Sequence, residues 1–377
     1  MSLHPTTLDE YPIHQAPLPI ARPDTSDRNF YDRCYFNAMD RAGEVMMVAG
    51  AGVYPNLGVQ DGFLVVRVGD VQHAARFSTA LGDRPLTHEV VTGGGRIGVA
   101  VPEPLQTVEL RCEADGLAAD LTWRGSFPAI LEQPHLLLGP SRPTLMAQRF
   151  AQLGTWAGSI TVGDRRIDVT PAVWHGTRDR SWGIRPVGDA DPAGRDADSP
   201  LEGFWWLYCP MQFDEFALVV IVQEEPNGFR TLNDAVRIFP DGRVEQLGWP
   251  RVELDYVSGS RHPLGARLHL TTADGTALVV EVETVTSVAL HLGGGYGGDP
   301  EWTHGQWRGV EWSQVSSYDL SDPDTAARLP WGVTDHSARA VLRTPGERDR
   351  EGRGLFEHAS MGRHDPTGFG DWMAVAR

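Results

Sequence analysis

LHLTTADGTALVVEVET, Leu268 to Thr284, is the stretch whose reading decides the fold. On both sides of an Ala-Asp-Gly turn, polar and apolar residues partly alternate, the pattern of a strand with one face in a core and the other in water. Asp-Gly supplies the turn, since glycine adopts left-handed backbone angles at no steric cost. The segment predicts an antiparallel hairpin. Related signals lie on either side of it. Asn233 to Phe239 and Arg243 to Leu247 flank a Pro-Asp-Gly turn, and Phe63 to Asp70 (FLVVRVGD) runs into Val71 to Ser78 (VQHAARFS) at Gly69-Asp70. Val108 to Glu113 meets Leu117 to Trp123 across Asp115-Gly116. Hairpins at such spacing predict an antiparallel meander.

Between these hairpins, the aromatic run Arg28 to Met39, the short apolar run Gly43 to Gly50 and the segment Gln148 to Val162 also read as strands. FALVVIVQEE, Phe216 to Glu225, is the longest apolar run. Its β-branched content favours a central strand covered on both faces over a helix. Prolines at 128, 134, 140 and 143 forbid a long helix there and predict an irregular crossing with room for one short helix. HLGGGYGGDPEWTHGQWRGVEW, His291 to Trp312, reads as a flexible loop or bulge leading to a strand with Trp307 and Trp312. No amphipathic helix of ordinary length stands out, and a parallel sheet without crossover helices is topologically difficult. The expected architecture is all-β: an N-terminal extension over residues 1–27, then two consecutive antiparallel barrels or curved sandwiches at 28–190 and 200–377. The polar loop PVGDADPAGRDADSP places the boundary within 185–202.

Composition narrows the function. A chain of 377 residues, 41% hydrophobic and 22% charged, can bury a substantial core. Fifty acidic against 33 basic residues give a formal charge of −17, which disfavours nucleic acid or an anionic membrane surface as partner. No run has the length and apolarity of a bilayer span, and the start lacks a signal-peptide pattern. Cys34, Cys112 and Cys209 are odd in number and far apart, so a cytoplasmic protein with buried free thiols is expected. With 42 glycines, 27 prolines and 12 tryptophans, the chain reads as many turns and sheets built around something large and apolar.

Trp174 to Arg185, WHGTRDRSWGIR, concentrates groups that are costly to bury. Trp174 and Trp182 could wall an apolar cavity, His175 could exchange a proton near neutral pH, and Asp179 could hold Arg178 or Arg180 in a charge-assisted fork. A structural ion network closing a barrel end accounts for the same residues, as does noncatalytic contact with a ligand. In GFWWLYCPMQFDE, Gly203 to Glu215, strand alternation sends Phe204, Trp206 and Tyr208 to one face and Trp205 and Leu207 to the other. The glycine-rich run after His291 lacks a Walker lysine and the dinucleotide spacing. The sets His291/Glu301/His304 and Glu357/His358/His364 lack zinc-hydrolase spacing, so no metal is expected. Asp335 and His336 form a second acid–base candidate, with solvent-exposed loop residues as the alternative. No GxSxG elbow marks a covalent nucleophile.

From about residue 30 to the end, and most specifically in the GxRDxSWGxR pattern of Gly176 to Arg185, the chain resembles the superfamily of paired lipocalin-like domains. That superfamily includes carotenoid 1,2-hydratases (hydroxyneurosporene synthase-like) and AttH-like proteins. GRGLFEHA, Gly352 to Ala359, resembles uncharacterised relatives of the DUF7064 and DUF7065 type. The resemblance implies two consecutive calycin-type barrels or sandwiches with a hydrophobic pocket between or within them. Some relatives hydrate isoprenoid double bonds, some cyclise polyenes or promote cycloadditions, and others have no assigned activity.

The expectation is a cofactor-independent hydratase, cyclase or isomerase for an apolar isoprenoid-like, steroid-like or fatty substrate. His175, Asp179 and Glu357 are its candidate acids. Trp174, Arg178, Trp182, Arg185, Trp206 and Tyr208 would contact the ligand, with Trp174, Trp182 and Trp206 stabilising positive character. A noncatalytic protein that binds a hydrophobic ligand is the alternative. The expected partner is an apolar small molecule, without membrane insertion, and homodimerisation is left open.

Overall fold

The computed structural model describes residues 8, 12–84, 86–139, 142–189 and 202–377. Most of the expected polar boundary loop, residues 190–201, lies outside them, as do Pro140 and most of the first eleven residues. Thirteen strands come before that boundary. They are β1 (Phe30–Asp40), β2 (Val45–Tyr54), β3 (Val59–Val68), β4 (Val71–Ala80), β5 (His88–Thr92), β6 (Gly95–Glu103), β7 (Thr107–Ala114), β8 (Leu117–Gly125), β9 (Ile130–Leu131), β10 (His135–Leu138), β11 (Pro143–Val162), β12 (Arg165–Val169) and β13 (Trp174–Ile184). Ten follow it: β14 (Gly203–Phe213), β15 (Ala217–Glu224), β16 (Arg230–Ile238), β17 (Val244–Gln246), β18 (Arg251–Tyr256), β19 (Pro263–Thr271), β20 (Ala277–Ala289), β21 (Glu311–Asp319), β22 (Thr334–Arg343) and β23 (Arg350–Gly362). The one α-helix among the described residues, α1 (Pro323–Ala326), is a single turn.

The protein is all-β, in two antiparallel sheets. The first follows the order β21-β4-β3-β2-β1-β13-β11-β8-β7-β6-β5 and curls into a nearly closed barrel. Its two ends meet where the β5–β6 turn presses on β21: a Cβ at Gly94 would stand 2.3 Å from Ser313 Oγ. The second sheet, β17-β16-β15-β14-β23-β22-β20-β19-β18, forms a half-barrel. The hairpins form as the turn chemistry predicts, at Gly69-Asp70 between β3 and β4 and at Asp-Gly turns in β7–β8, β16–β17 and β19–β20. The proline-rich crossing holds the short strands β9 and β10 and no helix. Sheet membership departs from sequence order at one point. β21, from the C-terminal half, pairs with β4 over the register Glu311↔Thr79 to Asp319↔Val71.

Three of the four apolar clusters among the described residues divide by strand alternation. Cys34, Phe36 and Ala38 of β1 point into the first barrel with Trp123, Trp156 and Trp174. Tyr35 and Met39 point the other way, toward the second sheet, where they join Trp206, Tyr208, Leu355 and Trp302. Trp205, Leu207 and Phe356 fill the half-barrel. Strands such as β2 and β15 are therefore buried at every residue, which is why their sequences read as continuous apolar runs. Full burial of one large apolar side chain contributes roughly 1.5–3 kcal/mol, so an interface of this extent strongly favours the two sheets packing together.

Polar clamps fix the sheets in register. Gln72 Nε2 donates to the carbonyls of Ala289 (2.9 Å) and Leu292 (2.7 Å), and its Oε1 accepts from Ala289 N (3.0 Å). The segment after His291, expected to be flexible, is instead buried through Gly295 and anchored by an ion pair of Arg76 with Asp299. Gly305 N donates to the buried carboxyl of Asp61 (2.6 Å). Trp312 does lie on a strand, whereas Trp307 sits outside it and is half exposed.

WHGTRDRSWGIR is strand as far as Ile184. It forms β13, a central strand between β1 and β11. Gly176 is required there because a Cβ would lie 2.0 Å from the Asn37 carbonyl oxygen, which also accepts from Trp156 Nε1 at 2.8 Å. Gly176→Ala is expected to destabilise the fold by about 2–4 kcal/mol in urea denaturation, since it must displace that carbonyl. An unchanged midpoint would contradict this packing.

Candidate functional site

A cavity of about 330 Å³ opens between the two sheets. Tyr31, Arg33 and Tyr35 project into it from β1, Asp179 and Ser181 from β13, and Arg149 from β11. The opposite wall is Phe204 and Trp206 of β14 with Glu357 of β23. Each set lies on one face of its strand because alternate residues point the same way. The β1–β13 register places Tyr35 directly opposite Asp179.

Charge is concentrated on these walls. Arg149 Nε pairs with Glu132 at 2.5 Å, and its guanidinium lies over Tyr208 (4.6 Å to the ring centre) and Trp206 (5.5 Å). Burial opposes the Arg149 charge, but Glu132 and Asp179 outweigh it and raise the pKa above its ordinary value. Asp179 sits among Arg149, Glu132 and Glu357. Burial pushes its carboxyl up to about 7, with the positive charge of Arg149 acting against the rise. It therefore exchanges a proton near neutrality, as an acid–base group requires.

Behind the cavity wall lies a second carboxyl. Asp335 of β22 pairs in register with Glu357 of β23, is fully buried, and accepts a hydrogen bond from the Tyr35 hydroxyl. Burial and then the charge of Glu357 hold the Asp335 carboxyl well above the usual range, which favours its protonated form. The Trp206 indole N–H donates to Glu357 on its cavity side. Burial, then the negative charge of Asp335, raise Tyr35 well above its ordinary value and keep its hydroxyl a donor. Asn37 Nδ2 steadies that hydroxyl from 3.3 Å.

The residues singled out in the sequence separate into groups. Asp179, Arg185, Trp206 and Glu357 line this cavity, and Tyr208 stacks beside it under Arg149. His175 lies apart, in a crevice with Arg41, Val285 and Arg353, where burial and then the charge of Arg353 push its imidazole down to about 4. Trp174 is packed inside the first barrel. Arg178 and Trp182 point away from the inter-sheet cavity into a separate one. The π faces of Trp206 and Tyr208 meet Arg149, so the three tryptophans expected to stabilise positive charge are not brought together.

Asp335 and His336 are also parted. As neighbours on a strand they face opposite ways, and His336 Nδ1 lies 3.0 Å from the Phe356 carbonyl oxygen, its ring pushed down to about 3 by burial. Neither is a solvent-exposed loop residue. In the two His/Glu sets that lack zinc-hydrolase spacing, Glu301 pairs with Arg76, His364 with Glu224, and His358 Nδ1 with the Trp206 carbonyl. Tyr35, Glu132 and Arg149 were not anticipated. Tyr31, Arg33, Tyr35 and Asn37, polar-capable groups at every second position of β1, carried a readable signal. The Glu132–Arg149 pair carried none.

Residues 5–370 match the model of a family of unknown function, DUF8625. The chain belongs to that family. The expected DUF7064 and DUF7065 affinity of the C-terminal segment finds no support in this match. No curated protein matches the DUF8625 chain. Among solved structures it is similar to a putative AttH from Nitrosomonas europaea, with 11% identity, a TM-score of 0.52, and coverage of 88% of this chain and 92% of that one. It is also similar to kievitone hydratase from Nectria haematococca, with 13% identity, a TM-score of 0.52, and coverage of 88% and 89%. At such identities the likeness establishes the paired-barrel fold. The DUF8625 chain has no helix long and apolar enough to cross a membrane among its described residues.

The raised Asp179 pKa has a consequence for stability. The folded state keeps a proton up to about 7, whereas an unfolded aspartate releases it near ~3.9. This contribution is fully present below the unfolded value and is lost as pH rises through 7. Asp179→Asn is therefore expected to gain stability relative to the parent between pH 4 and pH 8, by at most about 4 kcal/mol, in urea titrations at both pH values. A difference between the two proteins that does not vary with pH would refute the assignment.

Proposed function

We propose that this protein is a hydratase-like enzyme that adds water, without an organic cofactor, to a carbon–carbon double bond of a small apolar isoprenoid-like substrate. The observation that carries the reading is the buried Asp335, its carboxyl held well above the usual range, in register with Glu357, which lines a partly apolar cavity also bordered by Asp179. A proton held on Asp335 passes by way of Glu357 to one alkene carbon, leaving a carbocation on the other. Water bound beside Asp179 attacks that carbon and gives a proton to the Asp179 carboxylate, so a C–H and a C–O bond replace the π bond. Proton return from Asp179 to the Glu357–Asp335 pair completes the cycle. Tyr35 and Asp335 act as positioning residues behind Glu357. The solved kievitone hydratase, a hydratase by name, supports the reaction class by shared fold only.

The cavity volume of about 330 Å³ lies at the small end for ligand sites and favours a short isoprenoid over an extended polyene. A binding protein needs no acid–base carboxyl at its ligand, and Asp179, pushed up to about 7 by burial, faces this cavity.

Incubation of the full chain with short terpenoid alkenes in ¹⁸O-water, followed by mass spectrometry, tests the proposal. Labelled alcohol is expected, with Glu357→Gln and Asp179→Asn each lowering turnover about 10²-fold or more while ligand binding persists. Asp335→Asn is expected to shift the pH profile as well as lower the rate. Saturable binding with no label incorporated from any alkene would replace the enzyme reading with a carrier.

A further inference from the structure

A second cavity, of about 210 Å³, lies on the other face of β13 within the first barrel, and the inter-sheet chemistry does not use it. Cys34 and Phe36 of β1, Val99 of β6 and Val108 of β7 give it apolar walls. Leu86, Leu105 and Trp182 form a rim that is partly exposed to solvent. Within this apolar setting stands Arg178, which is 5% exposed.

The charge balance around Arg178 is incomplete. Its Nε donates to Gln152 Oε1 at 2.8 Å and its guanidinium lies over the Phe150 ring at 5.3 Å, yet Nη2 has no hydrogen-bond partner and no carboxylate pairs with it among the described residues. Asp179, its neighbour in sequence, faces the inter-sheet cavity instead. Asp32 is no substitute, because its two oxygens are taken by Arg180 (2.6 Å) and Arg84 (2.7 Å). Three guanidinium groups thus share one carboxylate here, in a chain whose formal charge is −17. His88 adds no charge at neutral pH, since burial and then Arg180 push it down to about 4. Burial likewise draws Arg178 down to about 10, the mark of a cation lacking compensation. An uncompensated buried charge is costly, and an incoming anion would relieve the cost with charge-assisted hydrogen bonds.

The arginine is also pre-set for that role. Gln152 Nε2 donates to the carbonyls of Leu105 (2.8 Å) and Phe127 (3.0 Å), which fixes its Oε1 toward Arg178. Leu105 is the one non-glycine residue among those described with a left-handed backbone, φ 62°, and it lies on the cavity rim. Strain of that kind persists where the surroundings over-determine it, and it gathers at ligand sites.

We infer that the first barrel holds a binding site for a small amphipathic carboxylate, with its head on Arg178 and its short hydrocarbon chain against the Phe36–Val99–Val108 wall. The site stands independently of the proposed hydration chemistry. It takes an anion with an apolar tail, and neither an inorganic anion nor a neutral alcohol satisfies both halves.

Isothermal titration of the full chain with octanoate, octanol, acetate and sulfate tests the site. Octanoate is expected to bind at one saturable site, with octanol, acetate and sulfate at least about 30-fold weaker. Arg178→Met is expected to weaken octanoate by a similar factor while octanol binding is kept, which shows that the variant's pocket is folded. Glu357→Gln, in the other cavity, is expected to leave octanoate binding unchanged. Equal affinity for octanol or sulfate, an Arg178→Met variant that binds octanoate as the parent does, or loss of binding in Glu357→Gln would each overturn the assignment.

Discussion

The rest of the structure depends on β1, β11 and β13 being covered on both faces, by the barrel core on one side and the second sheet on the other. A strand in that position cannot send its polar side chains to water, so each must be neutralised by a partner across the sheet or across the interface. Polar groups therefore collect into networks rather than scatter. On one face of β13, Asp179 joins Arg149, Glu132 and the Glu357–Asp335 pair; on the other, Arg178 rests on Gln152 and Phe150. The two cavities differ in chemistry because consecutive residues of one strand supply them.

The same constraint sets the protonation states. An aspartate in water would ionise well below neutrality, but Asp179 and Asp335 are removed from solvent and surrounded by further carboxyl groups. Arg149 offsets only part of that cost. An interface that carries partly protonated carboxyls is less stable than an apolar one of equal volume, which is the usual trade between a functional site and its scaffold. The indole N–H of Trp206 and the hydroxyl of Tyr35 hold the two carboxyls in place, so aromatic residues here serve as hydrogen-bond donors as much as packing elements.

Hairpins with Asp-Gly turns were legible in the sequence because the turn residue and the strand period report on the same local geometry. The β5–β6 hairpin escaped notice since its turn, Gly93 to Gly95, interrupts the alternation that would have marked the flanking strands. At the site, Asp179, Trp206 and Glu357 were each identified, but not as neighbours. The sequence sets Asp335 beside His336, which suggests the wrong acid–base partner. A strand turns adjacent residues to opposite faces, and the actual partner of Asp335 lies one strand over at Glu357. Register between distant strands leaves no trace in local composition, and Glu132–Arg149 was hidden for the same reason. WHGTRDRSWGIR drew attention through its charge, yet its residues serve two separate spaces and, at Trp174, a solid core.

The return of β21 to β4 sets the timetable by which this polypeptide matures. During synthesis the first sheet has every strand but one by residue 184, and β4 then presents an open row of backbone donors and acceptors until residues 311–319 leave the ribosome. Val71 must wait for Asp319, a contact of very long sequence separation, so barrel closure falls late and the nascent first half is an aggregation hazard meanwhile. The chain is tied together like a belt through its own buckle. Dividing the chain between β13 and β14 would leave β4 and its partner β21 on different pieces.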